Sequence, residues 1–492
     1  MSQHETPLFT GLRKHASNNP LQFHIPGHKK GQGMDEEFKD FIGPNALSID
    51  LINIAPLDDL HHPKGMIKRA QDLAAQAFGA DHTYFSVQGT SGAIMTMIMS
   101  VVSPGDKIIV PRNVHKSIMT AIVFSGATPI FIHPEIDLEL GISHGITPDS
   151  VEKALNQHPD AKAVLVINPT YFGFAADLKE IVNIAHRSNV PVLVDEAHGV
   201  LIHYHDHMPL SAMQAGADMA ATSVHKLGGS LTGSSILNVK EGLVSPERIQ
   251  TILSMLTTTS TSYILLASLD AARRRLATEG YTLIEKTLRL ANETRAKIND
   301  IPNLYCVGEE RLGTSATFDY DPTKLLISVK DLGITGYEAE TWLREEHNIE
   351  VELSDLYNIL CLITTADHEK DTMVLVNALT QLSALKSSTE TTEVQSLLPV
   401  HVPDIPVLAL SPRDAFYANT ESIPFEESAG RIIAEFVMVY PPGIPIFIPG
   451  EIITKENLDY IKENLEAGLP VQGPEDASLN YLKVIKEQVA IR

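Results

Sequence analysis

Cysteine is almost absent from this chain: among 492 residues only Cys306 and Cys361 occur, each in an apolar context. Two such thiols supply neither a disulfide framework nor a cysteine-based zinc site, and they fit a reducing compartment. Basic residues are short as well, with 38 Lys plus Arg against 61 Asp plus Glu, a formal charge of −23 and a pI near 5.3. A field of that sign repels phosphate backbones and anionic headgroups, which excludes nucleic acid and membrane surfaces as expected partners and favours a small cationic molecule. Long hydrophobic runs are missing too. The longest, Ala93 to Val102, is far too short to cross a bilayer. The segment Met1 to Asn19 is polar and of mixed charge, without the apolar core of a signal peptide, so the expected location is the cytoplasm.

What is present is ordinary for a globular protein: 43% hydrophobic and 20% charged residues, at a length that suggests two or three domains. From about Asp81 to Val239, short β-branched runs alternate with helical patterns. The expected strands are Thr83–Val87, Lys107–Val110, Pro129–His133, Ala163–Asn168, Val190–Asp195, Met219–Ser223 and Ser235–Val239. Helices are expected at Pro148–Gln157, with Thr147 as cap and Pro148 in the first turn, and at Asp177–Arg187. This alternation predicts an α/β domain with a parallel or mostly parallel sheet covered on both faces. Tyr263 to Asp300 reads as a helix pair. A smaller α/β unit follows, with strands near Leu325–Val329 and Ile349–Leu353 and helices near Tyr337–Glu346 and Lys370–Leu385. A Ser/Thr/Glu-rich linker then leads to a tail that contains Tyr440-Pro441-Pro442-Gly443. The expected division is an N-terminal arm at 1–20, a large domain at 21–300, a small α/β domain at 301–386, a linker at 387–401 and a C-terminal α+β domain at 402–492.

Three pieces of chemistry stand at expected strand ends. Lys226, in Ser223-Val224-His225-Lys226-Leu227-Gly228-Gly229, sits where a partly desolvated amine can form a Schiff base with an aldehyde cofactor. Alone, it reads more readily as a surface lysine beside a glycine turn. Asp195, at the tip of Val192-Leu193-Val194, is placed to keep a pyridine nitrogen protonated, or else to cap a helix. Gly89-Thr90-Ser91-Gly92 carries a strand into a helix through small residues, a phosphate site made of backbone N–H groups, hydroxyls and the helix dipole. It matches neither the dinucleotide nor the Walker pattern. A phosphate, a ring nitrogen and an aldehyde together describe pyridoxal 5'-phosphate laid across the carboxyl edge of the sheet. His115, opening the helix after Pro111-Arg112-Asn113-Val114, is placed to stack on the ring or to cap that helix. His198, His203, His205 and His207 alternate as residues of one strand face would. With no accompanying cysteine or carboxylate pattern, no metal site is expected.

With Phe23-His24-Ile25-Pro26-Gly27-His28-Lys29, Asp58-Asp59-Leu60-His61, Gly89-Thr90-Ser91, Arg112 to Ser117, Asp195-Glu196-Ala197-His198-Gly199, Ser223 to Lys226 and Tyr440 to Gly443 assembled, the chain resembles the major Orn/Lys/Arg decarboxylase family over nearly its whole length. These are pyridoxal-phosphate enzymes of the aspartate aminotransferase-like fold (PLP fold type I). The resemblance implies Lys226 as the Schiff-base lysine, Asp195 on the ring nitrogen, Ala197 under the ring, His115 above it and His198 beside the cofactor. It also implies Gly89, Thr90, Ser91, Ser223 and His225 around the phosphate. The run Thr257 to Ser262 resembles the family segment that reaches the neighbouring subunit's phosphate, with Thr259 as the expected contact, so the active site is expected at the interface of a homodimer or higher homo-oligomer. The larger acid-inducible members have a long N-terminal wing that this chain lacks, which favours the dimer. The likeness is to the biosynthetic branch and implies decarboxylation of L-arginine to agmatine and CO₂, feeding polyamine synthesis. Lysine or ornithine as substrate, and other reactions on the same cofactor, remain open alternatives.

The implied mechanism breaks the Cα–carboxylate bond perpendicular to the ring and returns a proton to Cα from His225 or Lys226. Asp355 and Glu451 are the candidate acids for a distal guanidinium, although a solvated surface acid is the readier reading of each. The stretch around Asp355 offers no arginine of the kind aminotransferases use to retain a substrate carboxylate. Residues 389–492 hold sixteen acids against seven bases, an acidic tail expected near the active-site entrance.

Overall fold

A computed structural model describes residues 2–387, 403–439, 444–466 and 469–486. Most of the expected linker and the Tyr440–Gly443 motif lie outside the described residues. The central element is a seven-stranded sheet. Its strands in chain order are β1 (His82–Ser86), β2 (Lys107–Pro111), β3 (Thr128–Ile132), β4 (Ala163–Ile167), β5 (Val192–Asp195), β6 (Met219–Thr222) and β7 (Ser235–Val239). Across the sheet they run β1-β7-β6-β5-β4-β2-β3. The pairs β5·β6, β2·β3 and β2·β4 are parallel, while β7 runs antiparallel to both neighbours, so the sheet is mostly parallel, as the alternation of strands and helices predicts. All seven expected strands form, with ends shifted by at most two residues. Val192, Leu193 and Val194 are wholly buried, the continuous apolar run that a strand covered on both faces requires.

The chain divides into two compact units. One comprises Met1–Val101, Leu165–Asn168 and Leu178–Glu285; the other comprises Val102–Val164, Pro169–Asp177 and Lys286–Arg492, and β4 contributes residues to both. In the first unit, α1 (Gly89–Val101) follows β1. Ala93, Ile94, Met97 and Ile98 are buried, which makes it an interior helix whose N-terminus is delivered to the carboxyl edge of the sheet. Gly89 begins it at φ +66°, a left-handed conformation that costs glycine little.

In the second unit, α2 (Lys116–Ser125) follows β2, and the expected helix Pro148–Gln157 forms with the Thr147 hydroxyl accepting from Ser150 N–H. A four-stranded antiparallel sheet of Tyr305–Cys306, Lys324–Ser328, Asn358–Leu362 and Leu353–Ser354 is covered by the helices Gly336–His347 and Glu369–Ser387 around a core that includes Leu325, Ile327, Ile359, Leu343 and Leu379. Cys306 and Cys361 lie in this core, and burial pushes both thiols up to about 12. Further along, the strand pairs Thr420–Pro424 with Tyr481–Ile485 and Val437–Val439 with Ile444–Phe447 enclose Ile433, Phe447, Ile461 and Leu482 together with the helix Lys455–Glu466.

Two sequence expectations change. The helix pair after Tyr263 is a single helix, α3 (Tyr263–Asn299), of 37 residues. Its one internal glycine, Gly280, lies against the Tyr204 ring, where an added Cβ would meet the ring carbon Cγ at 3.3 Å; close approach, not a break, accounts for the glycine. The strand expected at Ile349–Leu353 shrinks to Leu353–Ser354, and the main strand of that hairpin is Asn358–Leu362. The alternation Ile349-Glu350-Val351-Glu352 imitates a strand pattern, but only Glu352 N–H reaches across, to Leu360 O at 2.9 Å. Among the described residues no helix is long and apolar enough to cross a membrane.

Candidate active site

β5 and β6 are parallel neighbours, with Asp195 opposite Ala221, so their carboxyl ends bring two loops side by side. Asp195 closes β5. β6 ends at Thr222, and Lys226 follows on a one-turn helix, α4 (Val224–Leu227), four residues beyond the strand rather than at its end. Gly228 permits that turn, because an added Cβ would stand 2.8 Å from Val224 O.

Asp195 is only 6% exposed, and its Oδ1 accepts the Ala197 N–H at 3.2 Å. Burial raises its carboxyl to about 6, with Glu196 adding to the rise and the Ala197 N–H and the Lys226 ammonium opposing it. Lys226 is half-buried, with Nζ 2.5 Å from His198 Nε2. Asp195, Ala197, His198 and Lys226 are thereby gathered at two adjoining strand ends.

Thr90 is the second residue of α1, and its hydroxyl bonds Ser235 Oγ at 2.6 Å and Ser223 Oγ. These hydroxyls tie α1, β7 and the residue before α4 together. The Gly89 N–H is taken by Gly233 O at 2.8 Å, while Thr90 and Ser91 stand in the first turn of α1, where N–H groups lack partners within the helix. His225 Nδ1 is 2.9 Å from Ser234 O, which orients its ring away from a free rotation.

His115, Asp355 and Glu451 belong to the other unit. His115 caps α2 through Nδ1, which accepts from Ser117 N–H at 3.2 Å, and its side chain is exposed. Asp355 Oδ1 accepts from Tyr357 N–H at 2.8 Å, Asn358 N–H at 2.7 Å and Asn358 Nδ2 at 3.0 Å, so it shapes its own turn. Glu451, expected as a substrate acid or a solvated one, is neither exposed nor unengaged. It is 1% exposed and bound two-pronged by Arg112, at 2.6 and 2.8 Å, while it also accepts Ile448 N–H at 2.9 Å. Thr259 lies exposed in the segment between the helix Pro246–Leu256 and α3.

The histidine run departs from its expected geometry: His203 lies in a single 3-10 turn, Ile202–Tyr204, not on a strand. His203 Nε2 donates to Glu196 and His205 Nε2 to Glu285, each at 2.7 Å. Among the described residues no group of three or more His, Cys, Asp or Glu could hold a metal ion. Sequence reasoning passed over Glu196 and Arg112 except as members of motifs. Their signal was position: a charged residue directly after an apolar strand, where burial is the default.

The donor set fits pyridoxal phosphate. Asp195 offers a buried carboxylate served by a single backbone N–H, which a protonated ring nitrogen would complete. The α1 N-terminus offers N–H groups and a positive dipole end for a phosphate, and Lys226 a half-shielded amine for an aldehyde.

Residues 6–371 match the family model of the Orn/Lys/Arg decarboxylase major domain, and residues 398–486 match that family's C-terminal domain. The chain is 73% identical to the arginine decarboxylase of Bacillus subtilis (strain 168) over 492 residues, 100% of both chains. It is 73% identical to that of Bacillus anthracis over 487 residues, 99% of this chain and 98% of the relative. In structure it is similar to the lysine decarboxylase of Francisella novicida, with a TM-score of 0.87 at 24% identity, covering 98% of this chain and 81% of that one. The gathered strand-end residues and these matches lead to one conclusion: the chain belongs to the Orn/Lys/Arg decarboxylase family.

Proposed function

We propose that this enzyme decarboxylates L-arginine to agmatine and CO₂ with pyridoxal 5'-phosphate, as a cytoplasmic homodimer whose product feeds polyamine synthesis. The observation that carries the chemistry is the pair of neighbouring strand ends that holds buried Asp195 and the Lys226–His198 contact. Identity of 72–73% to three arginine decarboxylases over essentially their full lengths supports the substrate, and the charge of −23 suits a cationic amino acid.

Lys226 would hold the cofactor's aldehyde and Asp195 its ring nitrogen. Thr90, Ser91, Ser223 and His225 would surround its phosphate, with Ala197 beside its ring. When bound, pyridoxal phosphate supplies an electron sink for the pair released as the Cα–carboxylate bond breaks. Asp195, ionised above about pH 6, would favour a positive charge on the ring nitrogen by proximity in a buried setting. His198 Nε2 receives a proton from the Lys226 ammonium, leaving Nζ with the lone pair that nucleophilic attack requires. Loss of CO₂ leaves Cα needing one proton. Lys226 Nζ would deliver it after the proton held on His198 Nε2 has returned to the amine. The run Thr257 to Ser262 would complete the phosphate site of the neighbouring subunit, with Thr259 as the contact.

Purified enzyme loaded with pyridoxal phosphate and given arginine, lysine or ornithine separately tests the reading. The expected result is CO₂ and agmatine from arginine, with kcat/KM at least about 100-fold above the other two. Faster turnover of lysine or ornithine would overturn the substrate; keto acid in place of CO₂ would overturn the reaction.

A further inference from the structure

Glu196 follows Asp195 directly and has no solvent exposure. Its Oε1 accepts the Ala212 N–H at 2.7 Å, and its Oε2 accepts Thr222 Oγ1 at 2.8 Å and His203 Nε2 at 2.7 Å. A carboxylate buried to that degree persists only when donors replace its water, and here they come from three separate chain segments. Ala212 begins a short helix capped by Ser211. His203 is itself shielded, edge-on to Phe78 with ring centroids 4.8 Å apart. Thr222 is the last residue of β6, one position before Ser223 and four before Lys226. Glu196 holds this strand end a second time, by donating its own N–H to Ala221 O at 3.0 Å. The residue next to Asp195 therefore grips the strand end that leads to Lys226 by main chain and side chain together.

We propose that Glu196 is a positioning residue: its buried carboxylate, bonded to Thr222, sets the spacing between Asp195 and Lys226. The role rests on the reading of those two residues given above. The ordinary ladder already pairs the strands up to Asp195 and Ala221. Past that register the Glu196 N–H bond to Ala221 O and the Glu196–Thr222 contact extend the order toward Lys226. A displacement near 1 Å in such a pair costs turnover by up to about 100-fold.

Thr222→Val is the decisive variant, because it keeps the shape of a fully buried side chain, removes one bond and leaves Glu196 its other two donors. Wild type, Thr222→Val and Thr222→Ser are compared for thermal midpoint, dissociation constant of pyridoxal phosphate from the cofactor-free protein, visible absorbance of the lysine-bound cofactor, kcat and KM. The expected result for Thr222→Val is a shifted absorbance maximum, weaker cofactor binding and a kcat lower by about tenfold with KM within about twofold. Thr222→Ser, which restores the hydroxyl, returns each to near the wild-type value. Thr222→Val with wild-type absorbance and kcat would overturn the positioning role, as would a loss of turnover that only tracks loss of folded protein. Wild type that takes up no pyridoxal phosphate would overturn the reading of the site itself.

Discussion

Asp195 and Asp355 are both nearly buried, at 6% and 8% exposure, and in both burial lifts the carboxyl from 3.8 to about 6. They differ in what meets the oxygens. Asp355 accepts from Tyr357 N–H, Asn358 N–H and the Asn358 amide, the pattern of an acid that closes its own turn. Asp195 is met by the Ala197 N–H alone, with the Lys226 charge nearby. Two carboxyls with the same shift thus have opposite characters: one is complete within the fold, the other is complete only with something added. The shared perturbation marks burial, and the two acids differ in how far the fold satisfies them.

The largest effect that sharpens this contrast is Asp195→Asn. An amide cannot hold a charge against the ring nitrogen, and kcat/KM is expected to fall by about 10³-fold, measured as CO₂ release at saturating pyridoxal phosphate. A fall of less than tenfold would remove Asp195 from the chemistry. Next comes Glu451→Ala, a third buried acid and one fully matched by the Arg112 fork. It leaves a buried guanidinium with two carbonyl partners, Pro445 and Ile446, and no counter-charge. The expected loss is about 3 kcal/mol of stability, read by denaturant unfolding, with cofactor stoichiometry per folded molecule unchanged.

Third is the pH dependence of the cofactor-free protein. A carboxyl raised by folding favours the folded state fully below its ordinary value of 3.8 and loses that contribution as pH climbs through about 6. Asp195 and Asp355 each therefore lower stability by about 2 kcal/mol between pH 4 and pH 6. Asp195→Asn removes one of these declines, so the cofactor-free variant is expected to be more stable than wild type at pH 7 by about 2 kcal/mol while being nearly inactive. Equal or lower stability at pH 7 would show that the Asp195 charge is already compensated within the fold.

This contrast also marks how far the sequence could be read. The strands leading to Asp195, Lys226 and Thr90 were legible because a covered parallel sheet writes each strand as an unbroken apolar run, and the candidate residues follow at or shortly beyond its carboxyl end. Satisfaction was not legible, since it depends on partners distant in the chain. Glu451 meets Arg112 across 339 positions, and Glu196 meets Thr222 across 26. At Asp355 the hidden part is local: Asp355-Leu356-Tyr357-Asn358 is a turn, and the sequence showed an acid among hydroxyls and amides without showing which N–H groups it would take. The joined helix Tyr263–Asn299 was hidden similarly, as Gly280 signals a break unless the Tyr204 ring beside it is known.

The smallest effect is the one on which the comparison turns. Asp355→Asn removes a buried charge, which favours the fold, yet sets the new amide against the Asn358 amide that now donates to both oxygens, which opposes it. These offset, and the stability change at pH 7 is expected to stay under about 1 kcal/mol, unlike the gain at Asp195. Because every donor around Asp355 comes from its own turn, kcat/KM for arginine is expected to stay within about threefold of wild type. Were KM for arginine instead to rise 30-fold or more at unchanged kcat, with KM for a shorter cationic amino acid unaffected, Asp355 would be the acid that meets the guanidinium. The distinction between a complete and an incomplete carboxylate would then fail at the residue chosen to define it.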